Sequence, residues 1–196
     1  MKLEQIAEFT QGAFATRLET TEKNIPTVEV KPLSLKEFNE TLGVSYRISN
    51  EKKLAIRIPK EKLDARLLTD TQSLVLHTQA EKVVLLPEKY SGLLLTNNFL
   101  KIKLHDSVDL AFFEWYFNEH PAIQKQLSVL SEGSSVSMLK LLRLKDLNVE
   151  LPDLEKQKVI GRIAQLKKQK EALQLERIEL QRQFILGQLM KSMENN

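Results

Sequence analysis

Residues 152–191 read PDLEKQKVIGRIAQLKKQKEALQLERIELQRQFILGQLMK, and this stretch decides the architecture of the chain. It contains no proline after Pro152, its single aromatic residue is Phe184, and Leu, Ile, Lys, Glu, Gln and Arg dominate it. These residue types favour helix, and Asp153 is a suitable N-cap residue. A helix over the whole stretch would be about 55 Å long at about 1.5 Å per residue. Since one globular domain cannot cover that length, we predict that part of the helix projects.

A heptad seam of apolar residues runs along the predicted helix. With Ile163 at position a and Leu166 at position d, the charged residues Lys170 and Arg177 fall on two successive a positions. Like charges would then face each other in a parallel homodimer of identical register, so we predict an antiparallel coiled coil or packing on another protein. The predicted dimer and partner interface consists of Leu154, Val159, Ile163, Leu166, Leu173, Leu180 and Phe184.

A second apolar stripe on the same helix comprises Leu175, Ile178, Ile185 and Leu189. This stripe predicts contact with more than one neighbouring helix. The alternative is a single long helix folded back on its own domain. A helix of this length without a cap or break favours coiled-coil packing instead.

Residues 1–151 show the mixed pattern of an α+β domain, in which short apolar runs alternate with turn residues and a few helical stretches. We predict strands at 27–32, 53–59, 73–78, 82–86 and 99–104. Asp109 to His120 is predicted as a helix whose aromatic residues lie in the core, and Pro121 suits the first turn of the helix that follows. The chain is therefore predicted as one mixed domain followed by one long helix.

Composition excludes several classes of protein. The 196 residues are 42% hydrophobic and 28% charged with a net charge of +3, which is typical of a folded protein and leans mildly towards an acidic partner such as nucleic acid. There is no cysteine, the three histidines lack the spacing of metal ligands, and the six glycines form no phosphate-binding loop. We predict no catalytic or metal site. No signal peptide or membrane span is recognisable, so we expect a cytoplasmic protein.

Three segments carry a resemblance to a known family. Residues 142–152 read LRLKDLNVELP and are followed by LEKQKVI at 154–160, the opening residues 2–12 read KLEQIAEFTQG, and residues 95–102 read LTNNFLKI. Together they resemble a target recognition domain of the specificity subunits of type I restriction-modification systems. On this resemblance, residues 1–151 form the target recognition domain, 152–191 the coiled-coil helix and 192–196 a disordered tail.

The resemblance implies a non-catalytic, sequence-specific DNA-binding subunit that directs partner methyltransferase subunits, and possibly restriction subunits, to a bipartite site. S-adenosylmethionine is then expected in the methyltransferase partner, and no cofactor in this chain. The sequence departs from the family pattern in two ways. The adjacent Glu-Gln pair of the family is here Glu155-Lys156-Gln157. The family's subunits carry two recognition domains and two long helices, whereas this sequence holds one of each.

Three regions supply the cationic, amide and hydroxyl groups that a reader of double-stranded DNA needs. The first is the turn around Gly12, the second is a basic run between residues 52 and 66, and the third is a glycine-serine loop that the resemblance places towards DNA. The predicted DNA-binding residues are Gln11, Thr16, Arg17, Lys52, Lys53, Arg57, Lys60, Ser134, Ser135, Ser137, Lys140 and Arg143.

Two copies that pair their helices antiparallel would place two identical recognition domains about a twofold axis. We therefore predict a homodimer through the C-terminal helix that reads a palindromic split site. Two alternatives stay open: an accessory half-subunit that pairs with another specificity chain, and a coiled-coil scaffold that does not read DNA.

Overall fold

The computed structural model describes residues 1–22, 24–44, 55–132 and 141–194. Six strands are formed by β1 Ala7–Gln11, β2 Thr27–Val30, β3 Ile56–Pro59, β4 Leu74–His77, β5 Lys82–Leu85 and β6 Phe99–Leu104. Six helices are formed by α1 Ala15–Leu18, α2 Leu35–Leu42, α3 Leu110–Glu119, α4 Pro121–Glu132, α5 Leu141–Lys145 and α6 Leu154–Glu194. Short 3₁₀ turns occur at Leu3–Gln5, Lys60–Lys62, Ala65–Leu67 and Glu88–Tyr90. The predicted α+β class with a long C-terminal helix is confirmed.

The main sheet is antiparallel with the strand order β1-β6-β4-β5. Both of its faces are apolar, because side chains alternate along each strand and both sets are buried. Leu74, Leu76 and Ile102 lie in the core on one face. Val75 and Val84 lie in a second cluster on the other face, beside Phe38 of α2. A sheet covered on both sides explains why β4 reads as a continuous apolar run rather than as an alternating one.

Helix α3 supplies the largest part of the core. Asp109 is its N-cap, where the side-chain Oδ1 accepts a hydrogen bond of 2.8 Å from the backbone N of Phe112. Phe112, Phe113 and Phe117 are almost completely buried, which confirms the prediction of an aromatic core helix. The next helix begins at Pro121, as predicted.

A smaller sheet of β2 and β3 closes a third apolar cluster around Val30, Ile58 and Leu94. Leu18 of α1 packs against this cluster. The segment that leaves α1 is tied to β3 by a hydrogen bond of 2.9 Å from the backbone N of Thr20 to the carbonyl O of Arg57. This arrangement fixes α1 and β3 side by side.

The beginning of the chain lies against the segment that precedes α6. The backbone N of Val149 donates to Met1 O over 2.9 Å, and the backbone N of Leu3 donates to Leu147 O over 2.9 Å. The opening strand β1 also pairs with β6 along its whole length. All three segments that carry the family resemblance are thus brought together.

Helix α6 begins where the sequence predicts. Asp153 caps it through a hydrogen bond of 2.9 Å from the backbone N of Lys156 to Asp153 Oδ1. Its 41 residues make it about 62 Å long, and it continues to Glu194 rather than ending at Lys191. Residues 192–194, predicted as part of a disordered tail, are therefore helical, because Met and Glu are good helix formers that simply extend the last turn.

The ion pair between Lys31 and Glu37, in the first turn of α2, makes the stability of the domain depend on pH. Glu37 lies in a capping box with Ser34 and is 2.7 Å from Lys31 Nζ. Burial alone would raise the pKa of Glu37, but hydrogen bonds from Lys31 and Ser34 lower it from 4.5 to about 2. The carboxylate therefore stabilises the fold above pH 4.5, and this contribution is lost as the pH falls towards 2.

We expect Glu37→Gln to flatten the acid limb of the stability profile. Between neutral pH and pH 2 the wild-type protein should lose up to about 3 kcal/mol more than the variant, because glutamine has no proton to gain. Urea unfolding at a series of pH values measures the difference. Parallel curves for the two proteins would show that Glu37 does not carry this pH dependence.

Candidate nucleic-acid and partner interfaces

The turn around Gly12 is held at a fixed position on the edge of the main sheet. A Cβ atom at Gly12 would lie 2.1 Å from the backbone O of Thr96, so no other residue fits without moving the chain. The backbone N of Gly12 donates to Phe99 O, and the backbone N of Ala13 donates to Leu95 O, both over 3.0 Å. The residues that follow this turn are thus presented from a rigid platform.

Beside this platform lies a surface that we call the α1–β3 surface, formed by Phe14, Thr16, Arg17, Arg57 and Lys60. Thr16, Arg17 and Lys60 are exposed, and Arg57 is half-buried. Two of the three regions predicted for DNA binding are brought together here, because α1 and β3 share one apolar cluster and one backbone hydrogen bond. Residues 40 positions apart in the sequence thereby contribute to one surface.

The two arginines of this surface are oriented by local contacts. The guanidinium carbon of Arg17 lies 4.7 Å from the centroid of the Phe14 ring, over its face. Arg57 donates a hydrogen bond of 3.2 Å from Nη2 to Thr27 Oγ1 and lies opposite Glu29 in the β2–β3 pair. Glu29 offsets part of the positive charge of Arg57, so Arg17 is the better placed of the two for a phosphate.

Gln11 is exposed at the end of β1, and its side-chain amide is held by two hydrogen bonds. Its Nε2 donates to the carbonyl O of Asn97 over 2.9 Å and to Phe99 O over 3.3 Å. These bonds fasten the end of β1 to the turn before β6. The turn carries the half-buried amides of Asn97 and Asn98, which the sequence did not single out. The sequence signal that could have indicated Asn97 and Asn98 is a pair of amide side chains next to a strand, because Asn and Gln can hydrogen-bond to adenine in the major groove.

Several predicted DNA-binding residues lie outside the described part of the chain, namely Lys52, Lys53, Ser134, Ser135, Ser137 and Lys140. Arg143 is described and lies half-buried in α5. In the same helix, Lys145 Nζ lies 5.9 Å from the ring centroid of Phe9 in β1. Helix α5, which follows the glycine-serine loop in the sequence, therefore lies near the β1 edge of the sheet.

The first turn of α6 is anchored on the α+β domain by Gln157. This side chain is 2% exposed, its Oε1 accepts a hydrogen bond of 3.0 Å from the backbone N of Asp109, and its Nε2 donates to Pro152 O over 2.9 Å. The glutamine of the shifted Glu155-Lys156-Gln157 motif thus joins α6 to the beginning of α3. The neighbouring Glu155 is exposed.

Gly161 allows α6 to lie directly on α3. A Cβ atom at this position would be 2.6 Å from the backbone N of Phe112. Further along, Lys168 Nζ lies 2.8 Å from Glu114 Oε1, and Lys167 Nζ lies 2.9 Å from Glu119 Oε2. The Lys168 pair is the less exposed of the two and is expected to contribute more to holding the helices together.

Beyond this contact α6 projects from the domain, as predicted. Every described side chain from Gln169 to Met193 is exposed in the single chain. The projecting part is about 39 Å long.

We call the seam predicted from the sequence the outer stripe of α6, comprising Val159, Ile163, Leu166, Leu173, Leu180 and Phe184. At about 3.6 residues per turn it lies roughly 180° around the helix from the side that contacts α3. Its residues are between 47% and 68% exposed. Leu154, also predicted for the interface, is half-buried at the beginning of the helix instead.

The second stripe has a different relation to the domain. The second stripe, Leu175, Ile178, Ile185 and Leu189, continues the side of α6 that contacts α3, but lies beyond the reach of the α+β domain. They are 56% to 59% exposed. The projecting helix therefore presents apolar residues on two sides.

No group of three or more His, Asp or Glu side chains is arranged to hold a metal ion in the described part of the chain. No helix within the same residues is long and apolar enough to cross a membrane.

The comparison with protein families identifies the class. The model of the family described as the type I restriction modification DNA specificity domain matches residues 2–181. The chain therefore belongs to this family, and the resemblance noted in the sequence is confirmed.

Two solved structures share the fold. The crystal structure of the HsdS subunit from Thermoanaerobacter tengcongensis is 12% identical with a TM-score of 0.53, and the match covers 91% of this chain and 39% of that chain. A chain from a structure of complex assembly and conformational transition of the type I R-M system is 15% identical with a TM-score of 0.62, covering 95% of this chain and 46% of that one. This chain thus spans less than half the length of each. No curated protein matches it.

Proposed function

We propose that the chain binds double-stranded DNA through the α1–β3 surface and directs partner subunits to a specific site. The observation that carries the proposal is that α1 with Arg17 and β3 with Arg57, from segments far apart in the sequence, are joined by one apolar cluster and by the hydrogen bond from Thr20 N to Arg57 O, with Lys60 directly after β3. Cations on one surface bind phosphates and set the position of the protein on the duplex, while nearby amide and hydroxyl groups read base edges. Membership of the DNA specificity family supports this assignment.

We further propose that two copies pair through the outer stripe of α6 as an antiparallel coiled coil. Reversal of one helix places a positions opposite d positions. In one such register Lys170 lies opposite Leu180 of the second copy and Arg177 opposite its Leu173, so the like charges no longer meet. Leu166 then lies opposite Phe184 of the second copy. The exposure of the stripe along the whole helix supports this pairing.

In such a dimer the twofold axis would relate two recognition domains, and the protein would read two half-sites with a fixed spacing. Methyltransferase subunits, carrying S-adenosylmethionine, and restriction subunits would dock beside the helices. The second stripe supports such a partner, because a helix that is apolar on two sides needs more than one neighbour. In the accessory alternative, the same outer stripe pairs with a different specificity chain.

The dependence of binding on salt tests the DNA assignment. We expect the affinity for a mixed-sequence duplex to fall steeply with salt concentration, and Arg17→Ala and Arg57→Ala each to reduce the slope of log affinity against log salt by about 1. Fluorescence anisotropy of a labelled duplex measures the slope.

The control is Lys36→Ala, which removes one exposed charge from α2 and should leave the slope unchanged. A wild-type protein without any salt slope would contradict the DNA assignment and favour the alternative of a scaffold that binds proteins alone. Equal slopes in the wild type and both arginine variants would remove the α1–β3 surface from the interface.

A further inference from the structure

The ring of Phe14 occupies a position at which a phenylalanine does not help the fold. Phe14 is the N-cap residue of α1, where Ser, Thr, Asp and Asn are favoured because their side chains accept a hydrogen bond from the first turn. Phenylalanine cannot form this bond. Its side chain is also 49% exposed, so the burial that usually compensates for a large apolar residue is incomplete.

The ring is nevertheless held in place. The segment just before it is fixed by the hydrogen bonds of Gly12 and Ala13 to Phe99 and Leu95. After it, the backbone N of Arg17 donates to Phe14 O over 2.9 Å, and the guanidinium lies over one face of the ring. A large rigid side chain that is ordered before binding loses little conformational entropy when it meets a partner.

The groups around the Phe14 ring indicate which kind of partner it would contact. A guanidinium stacked on an aromatic face joins a group for phosphates to an apolar group that fits bases. Apolar side chains contact the methyl group of thymine, and aromatic or aliphatic wedges press between base steps. An exposed aromatic ring with a guanidinium on one face is thus complementary to duplex DNA, which offers phosphates and bases together.

We infer that Phe14 is a specificity-determining residue that contacts the bases of the target duplex, while Arg17 positions it by binding the adjacent phosphate. The inference rests on the proposed DNA-binding function and goes beyond it, because it assigns base reading to one side chain. Gln11 then acts as a positioning residue through its bonds to the 97–99 turn.

Two variants separate loss of the ring from loss of the fold. Phe14→Ala removes the ring, and Phe14→Ser removes the ring while supplying a favoured N-cap, so that α1 should be at least as stable as in the wild type. Met193→Ala is the matched control, since Met193 is an apolar residue that is 75% exposed near the end of the projecting α6. Thermal unfolding of all three variants verifies that the domain is folded.

The experiment compares two duplexes. Selection by the full-length wild-type chain from a library of duplexes with a randomised centre yields a preferred duplex, and poly(dI-dC) serves as the non-specific one. We expect both Phe14 variants to lose about tenfold or more in affinity for the preferred duplex, with affinity for poly(dI-dC) within about twofold of wild type. The Met193 variant should match the wild type on both.

Three outcomes would overturn the inference. If both Phe14 variants preferred the selected duplex over poly(dI-dC) as strongly as the wild type does, the ring would not read bases. An equal loss on both duplexes would make it a general contact instead. A wild-type protein that binds neither duplex would overturn the proposed DNA function itself, and with it the role of Phe14, whereas the first two outcomes leave that function intact.

Discussion

The double variant Leu166→Asp/Phe184→Asp should be monomeric under conditions in which the wild-type chain forms a dimer. In the proposed antiparallel register these two positions face each other across the helix pair, so the dimer would place aspartate against aspartate twice. Loss of four apolar side chains from the interface and burial of carboxylates should weaken association by at least about 5 kcal/mol, or roughly a thousandfold or more. Sedimentation equilibrium measures the effect.

Two further double variants separate the role of the outer stripe from that of added charge. Ala172→Asp/Gln183→Asp adds the same charge about 110° away from the stripe and should leave the dimer largely intact. Leu173→Asp/Leu180→Asp places carboxylates opposite Arg177 and Lys170 in the proposed register, so its effect should be smaller than that of the first variant. A dimeric Leu166→Asp/Phe184→Asp protein would contradict the assignment of the outer stripe.

A monomeric wild type would contradict the homodimer and would direct attention to another specificity chain as the partner. The outer stripe would keep its role in that case, because the same residues would pair with the different chain. Co-expression with a candidate partner, followed by sedimentation, distinguishes the two arrangements.

The second large effect is expected at Gly12. In Gly12→Ala the new Cβ would meet the backbone of Thr96, which is itself held by the hydrogen bond from Phe99 N to Thr96 O and by its bridge to Ala13. Since neither segment can move without breaking backbone hydrogen bonds, we expect destabilisation by about 3 kcal/mol and a decrease in unfolding temperature of roughly 6 to 12 °C. Fluorescence of Trp115, the single tryptophan of the chain, reports the unfolding of the domain.

Gly187→Ala provides the matched control, because a Cβ there would meet nothing within 4 Å. Alanine favours helix over glycine by up to about 1 kcal/mol, so this variant should not unfold earlier than the wild type. The Gly12 variant should also bind DNA more weakly, since the platform below Phe14 and Arg17 would shift. An unchanged unfolding temperature in Gly12→Ala would refute the close approach at this turn.

The sequence predicted the bounds of strands and helices well where a few neighbouring residues determine them. The strand 99–104 was placed at its observed bounds, and α3 and α4 begin at the capping and proline signals that predicted them. The signal was weaker in the range 53–59, where the strand is shorter than predicted and begins at Ile56. Residues 45–54, which include two of the predicted DNA contacts, lie outside the described structure.

Lys101 illustrates what a local pattern cannot reveal. It lies between Leu100 and Ile102 in a strand that pairs on both sides, and it is 8% exposed. Its Nζ is 2.6 Å from Asp70 Oδ2 and donates to Leu68 O over 2.6 Å. A lysine in a strand normally indicates a solvated face, but here its charge is neutralised by a loop some thirty residues earlier in the chain.

The sequence by itself determined the class of the domain, the long helix with its cap at Asp153 and the seam along that helix, because caps, prolines and heptads act over a few neighbouring residues. Only the tertiary structure decided that α1 and β3 form one surface, that Gln157 and Gly161 seat the helix on α3, and that the seam lies on the side away from the domain. Those features depend on which distant segments exclude water together, and burial is a property of the packed chain rather than of any short stretch of it.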